Sequence, residues 1–237
     1  MIAAGEVNER RPAPAAAGAR SALYACLALA ALAVVPITRG APLAAAQIAE
    51  LCRNAEDQAH CSRMIEEVQL KRLPSVAERT GDDLNVTLFP SGVVTFRDSV
   101  AITGAKSYAL WDYMDRINAV VLFTTDGDNT AFLLMQRTNG KQYRLPAEPT
   151  LSPDRQRIAT ADFCASGCEG ELAVWSVSGD DVRKELAWKP QPAWSDASVT
   201  WKDADTLILD YTVAGEAKPR TQERKLADRG WTRPAPR

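Results

Sequence analysis

Tyr143 to Phe163 reads YRLPAEPTLSPDRQRIATADF: a short strand, a proline-studded crossing, a tight Ser-Pro-Asp turn and a second strand. Pro153 fixes φ where the first central position of a turn needs it, the side chains of Ser152 and Asp154 suit hydrogen bonds to nearby backbone, and Ile158 to Phe163 leaves as a strand. A partial echo follows downstream, where Trp201, Lys202, Asp203 and the run Leu207, Ile208, Leu209 align with Ser152, Pro153, Asp154 and Ile158, Ala159, Thr160. Self-similarity on the scale of a propeller blade predicts a repeat of antiparallel strands.

Working outward, the chain from Asn118 onward reads as three-stranded meanders. The first predicted unit is Ala119 to Thr124, Thr130 to Arg137 and Gln142 to Leu145, with turns at Asp126-Gly127-Asp128-Asn129 and Thr138-Asn139-Gly140. The second is Arg157 to Phe163, Glu171 to Val177 and Val182 to Trp188; the third is Thr206 to Val213, Thr221 to Leu226 and a short piece near Trp231. Upstream, Leu84, Val86 and Leu88 alternate with polar residues, Pro90-Ser91-Gly92 turns the chain, and Val93 to Phe96 returns as the other arm of a hairpin. Ala101 to Met114 suits either a strand or a short helix.

Ser152-Pro153-Asp154 followed by Arg157-Ile158-Ala159, with Leu172-Ala173-Val174-Trp175 next, resembles the Ser-Pro-Asp-Gly blades of TolB-like and WD-type β-propellers over about residues 118–231. Arg155 stands where such blades carry glycine. The resemblance implies a mainly β fold: a propeller-like stack of three-stranded antiparallel meanders, as an open or incomplete propeller or a two-sheet sandwich, spanning 84–231.

Residues 47–73 are helical in pattern, with apolar stripes at Ile48, Leu51, Cys52, Ala55 and at Cys61, Met64, Ile65, Val68. Within one straight helix positions 52 and 61 would lie roughly 13.5 Å apart along the axis, too far for a disulfide. Pairing Cys52 with Cys61, and Cys164 with Cys168, therefore requires a break in the polar stretch Asn54 to His60. Neither spacing is the two-residue knuckle of a zinc ribbon, so disulfides are the expectation and no metal is assigned.

Residues 1–46 have the order of a secretory signal peptide. Arg10, Arg11 and Arg20 precede the apolar run Leu23 to Val35, Pro36 ends it, and Ala44 and Ala46 suit a cut before Gln47. The run is short of the ~20 residues that span a bilayer. Contact with the membrane is thus expected only transiently through the signal, with the remainder periplasmic or secreted. Formal net charge is −2 for the whole chain, and removal of this arginine-rich leader makes the rest more acidic. With no basic run, the sequence presents no electrostatic footprint for nucleic acid or anionic lipid.

No known catalytic constellation is legible. His60 is the one histidine, and no G-x-S-x-G elbow exists to partner it. No phosphate loop or dinucleotide fingerprint occurs, so no cofactor is expected. The acidic pairs Asp126 with Asp128, Asp180 with Asp181, and Asp203 with Asp205 fall in predicted turns, where aspartate caps backbone. The candidate recognition residues are Trp188, Trp194 and Trp201, grouped around Pro190 and Pro192 in a predicted connecting segment, and Ser166 and Glu169 on the stapled loop Cys164 to Cys168. Large aromatics equally seal the joint between units. The expected function is that of an exported, non-enzymatic binding or interaction protein for another envelope protein or a small ligand. The alternatives are an inhibitor or immunity protein for a secreted or periplasmic enzyme, and a carboxylate-based hydrolase on a propeller-like scaffold.

Overall fold

The computed structural model describes residues 43–101, 104–127, 129–178 and 181–234. All of them lie in one of the chain's two compact units, Ile37–Arg237. Of the leader, residues 1–42 fall outside the described residues.

The chain opens with α1 (Ala45–Leu51), a single 3-10 turn (Cys52–Asn54) and α2 (Gln58–Arg72). The break between the helices is where the cysteine geometry demanded it, and Cys52 and Cys61 are bonded with their Cα atoms 4.8 Å apart. Asp57 caps α2 by accepting from the His60 N–H at 2.7 Å. The predicted cut before Gln47 falls inside α1.

Strands then follow in four antiparallel sheets, each a meander whose neighbours are neighbours in sequence. The first is β1 (Ala77–Thr80), β2 (Asp83–Thr87) and β3 (Val93–Arg97); the second is β4 (Ser99–Ala101), β5 (Gly104–Met114), β6 (Ala119–Asp126), β7 (Asn129–Gln136) and β8 (Gln142–Leu145). The third is β9 (Thr150–Leu151), β10 (Arg157–Asp162), β11 (Glu171–Ser178) and β12 (Asp181–Trp188), and the fourth is β13 (Trp194–Trp201), β14 (Thr206–Val213) and β15 (Pro219–Lys225).

The sheets stack face to face in chain order. Leu84, Val86 and Phe96 of the first sheet share one apolar cluster with Leu110, Val120, Leu122 and Met135 of the second. The opposite face of the second sheet places Ala119, Val121, Leu134 and Leu145 against Ile158 and Val182 of the third. Ala159, Leu172, Val174 and Leu186 of the third face Val199, Leu207, Leu209 and Val213 of the fourth. An inner strand is consequently buried on both sides, which is why β6 is a continuous apolar run and not an alternating one. The outer faces of the stack are polar: Asp83 accepts two 2.6 Å bonds from Arg97 and Asn85 one from Thr95 on the first sheet, and Thr221 donates to Asp210 and Lys202 to Glu223 on the fourth. Polar end sheets terminate the stack, so it is open.

The mainly β, open stack agrees with the expected class, with three differences in its pieces. Gly104 to Met114, which the sequence left open between strand and helix, is strand, the second sheet has five strands where three were expected, and β1 adds a strand ahead of the predicted start at 84. The segment holding Trp194 and Trp201 is not a connection: it is β13, whose alternation of Val199 and Trp201 with Ser198 and Thr200 is that of a half-buried strand. The third difference is the buried stripe of α2, which is Ser62, Ile65, Glu66 and Gln69, where Cys61, Met64, Ile65 and Val68 were expected.

That polar stripe has a cause. Glu66, 2% exposed, accepts from Arg79 Nε at 2.5 Å, Arg79 Nη2 at 2.9 Å, Arg63 Nη1 at 2.9 Å and the Leu110 N–H at 2.8 Å. Asp98 accepts from Arg63, from Arg79 Nη1 at 3.3 Å and from the Tyr108 N–H at 2.9 Å. Two carboxylates and two guanidiniums thus join α2 to the first two sheets. Because removal of one member strands the others in the interior, Glu66→Gln is expected to cost about 3 kcal/mol in urea unfolding. Asp83→Asn, which breaks the solvent-facing pair with Arg97, should leave the unfolding midpoint within error.

The Ser-Pro-Asp turn joins β9 to β10, and its echo joins β13 to β14 at the same place in the next sheet. Asp154 Oδ1 accepts from Ser152 Oγ at 2.6 Å and Gln156 N–H at 3.1 Å, as Asp203 Oδ1 does from Asp205 N–H at 2.8 Å. Arg155, at φ +66°, holds the left-handed conformation that glycine adopts without steric cost. Arg155→Gly should therefore leave the fold unchanged and raise stability by up to about 1 kcal/mol in the same unfolding measurement.

Candidate functional site

A groove of about 1130 Å³ lies between the outer edges of the second and third sheets. Three distant segments build it: Tyr143 and Arg144 from edge strand β8, Glu171 and Trp175 with residues 181–185 and Ala187 from β11 and β12, and Thr232 to Pro234 from the C-terminal tail. Strand β8 has four residues where β12 has eight, so the second sheet stops short of covering its neighbour. The exposed floor is aromatic, from Tyr143 and Trp175.

The Trp175 indole N–H donates to Thr160 Oγ1 at 3.1 Å, which fixes the ring. Lys184 Nζ lies 5.2 Å from the centre of that ring and 2.5 Å from Glu171 Oε1. Arg157 holds Glu185 at 3.3 Å. With those carboxylates engaged, the groove retains Arg144, Arg183 and Arg233 against Asp181, and among the described residues no carboxylate ion-pairs with these three arginines. A chain of net charge −2 thus carries a locally basic groove. The lining contains no histidine or cysteine. His60 sits instead at the start of α2, where its Nδ1 accepts from the Glu56 N–H at 3.3 Å.

None of the candidate recognition residues lines this groove, although Asp181, of the acidic pair with Asp180, does. Trp194 is buried, stacked on Tyr211 with ring centres 3.9 Å apart and tilted against Phe163 at 5.2 Å. Trp188 closes β12 and lies against the guanidinium of Arg224 at 3.7 Å, with Trp231 on the same cation at 4.7 Å. Trp201 donates from its indole N–H to the Thr150 carbonyl at 2.9 Å, tying β13 to β9. The structure thus places all three in strands, within the cluster between the third and fourth sheets.

Ser166 and Glu169 are exposed on the β10–β11 loop, where Cys164 and Cys168 are bonded with Cα atoms 5.6 Å apart. Buried Asp162 holds that loop by accepting from the Glu169 N–H at 2.9 Å. Of the acidic pairs, Asp128 and Asp180 lie outside the described residues. Asp203 is a turn cap whose backbone bond from Asp205 lowers its pKa.

A second concentration of perturbed groups lies where β5 bulges, between Leu110 and Asp112. Gln69 of α2 donates to the Trp111 carbonyl at 2.8 Å, and the Trp111 indole donates to Glu148 Oε1 at 2.8 Å, pinning the proline-rich crossing to β5. Burial pushes the Asp112 carboxyl up to about 6 from an ordinary 3.8, with Glu148 adding to the rise and the Tyr113 backbone N–H opposing it. Desolvation raises Glu148 as well. No metal-binding group of acidic, histidine or cysteine side chains occurs among the described residues.

Compared with family models, with curated proteins and with solved structures, the chain matches none.

The Asp112 shift has a definite sign. A carboxyl whose folded pKa is raised favours the protonated folded state, so its contribution is fully present below about 3.8 and is lost as pH rises through about 6. Asp112→Asn should match the parent chain in unfolding free energy near the acid end of that window. At neutral pH it should exceed the parent by about 1–2 kcal/mol, the shift being discounted for partial solvation.

Proposed function

We propose that this chain is an exported, non-enzymatic binding protein that receives a partner in the groove between its second and third sheets. The observation carrying this reading is the groove itself: a preformed, aromatic-floored concavity with three arginines that no carboxylate among the described residues pairs. Recognition needs this combination of apolar floor and placed polar groups, and two of the three lining carboxylates, Glu171 and Glu185, are already held by Lys184 and Arg157.

Export is supported by two features together. The leader has the basic, apolar, small-residue order of a secretory signal, and both remaining cysteine pairs are disulfides, which persist in oxidising compartments. No helix among the described residues is long and apolar enough to cross a membrane.

Photo-crosslinking tests the reading. With a benzophenone side chain at Arg183 in cells exporting the full chain, a discrete adduct is expected that is absent when the same group replaces Thr95 on the outer face of the first sheet. The adduct should be lost on adding Arg144→Glu. Equal labelling from both positions, or an adduct indifferent to Arg144→Glu, would remove the groove from consideration.

A further inference from the structure

The outer side of β12 is an unfilled sheet edge, and the chain itself demonstrates what that edge accepts. Thr232 of the C-terminal tail forms an antiparallel bridge with Ala187: the Ala187 N–H donates to the Thr232 carbonyl at 2.8 Å, and the Thr232 N–H donates to the Ala187 carbonyl at 2.7 Å. Antiparallel pairing places every second residue of the added segment against the edge. The next tail residue due there is Pro234, which has no N–H to donate. The tail therefore pairs once and stops, and residues 181–186 of β12 have no strand on their outer side among the described residues.

The charged side chains around this open stretch carry cations in excess: Glu171 and Glu185 are held by Lys184 and Arg157, leaving Arg144, Arg183 and Arg233 against Asp181. An added strand projects alternate side chains to opposite faces of the sheet. On the face turned to the second sheet it meets Tyr143 and Trp175, and Arg144, the next residue of β8, lines the groove from that strand's edge. Arg183 precedes Lys184 on β12, so it presents its guanidinium on the opposite face, and Arg233 closes the end where the tail departs. Lys184 is occupied by Glu171 and does not alter the balance.

Resting on the binding reading above, we propose that the occupant of the groove is an extended acidic polypeptide segment. It adds to β12 as an antiparallel strand continuing the line begun by Thr232, with its carboxylates on Arg144, Arg183 and Arg233. Main-chain hydrogen bonds to the edge supply affinity, and the arginines select the charge.

Fluorescence anisotropy with the full, disulfide-intact chain decides this. The probe is a labelled peptide of roughly 8 residues, the length of β12, repeating Asp-Asp-Val-Val so that carboxylates project to both faces. Its controls are the valine-lysine counterpart and the valine-aspartate peptide N-methylated at alternate residues. The acidic peptide is expected to bind at least about tenfold more tightly than the basic one and to weaken about tenfold in Arg144→Glu/Arg183→Glu, both sites being exposed and off the core. N-methylation should abolish its binding.

Equal binding of acidic and basic peptides, or undiminished binding of the N-methylated one, overturns the inference while leaving the groove a binding site. Absence of binding by any peptide also overturns it, and the crosslinking result then judges the broader reading separately. Light scattering on the chain alone covers the remaining occupant: a dimer dispersed by Arg183→Glu would assign the edge to a second copy and overturn the acidic-peptide assignment.

Discussion

The ion cluster of Glu66, Arg63, Arg79 and Asp98 is the constraint on which the start of the stack depends. Glu66 takes the N–H of Leu110 in the second sheet and both faces of the Arg79 fork from the first, so one carboxylate sets the position of α2 relative to two sheets at once. Arg79 in turn donates to the Tyr108 carbonyl at 2.6 Å, fixing the two sheets to each other. Charges taken out of water at such a joint are tolerable only when each is met by several bonds, and here both carboxylates and both guanidiniums are. The arrangement trades stability that an apolar joint would supply for a single allowed register, because a one-turn slip of α2 would remove Glu66 from all its partners.

Beyond that joint the structure is held mainly by area. Each sheet interface is a band of aliphatic and aromatic side chains, and the inner sheets contribute both faces to it. The end sheets solve a different problem. Their exposed faces are laced with short polar pairs, so neither recruits a further sheet. The two disulfides brace local turns and do not link sheets: one holds the bend between α1 and α2, and the other closes a five-residue loop.

The groove follows from a mismatch in this regular plan. Had β8 been as long as β12, its side chains would have covered Trp175 as the rest of the second sheet covers Ile158 and Val182. Its four residues end at Leu145, where the crossing Pro146 to Pro149 must leave for the third sheet, held by the bond from Trp111 to Glu148. The same proline-rich crossing that passes the chain from one sheet to the next therefore exposes the surface beside it.

Much of the architecture was legible in residue order because its causes are local. The turn chemistry of Ser152-Pro153-Asp154, the strand periods around it, and the impossibility of joining Cys52 to Cys61 across a straight helix each depend on neighbours in sequence. The tryptophans were misplaced for the same reason: Pro190 and Pro192 read as loop, but β13 begins at Trp194, and only pairing with β14 makes it a strand. Composition also hid the groove, since a chain of net negative charge gives no hint that Arg144, Arg183 and Arg233 line the same concavity. By itself the sequence determined a stapled helical start and a series of antiparallel meanders. Only the tertiary structure decided that Glu66 lies inside, that the stack stays open and that an edge strand is left beside three arginines, because each of these depends on contacts between residues far apart along the chain.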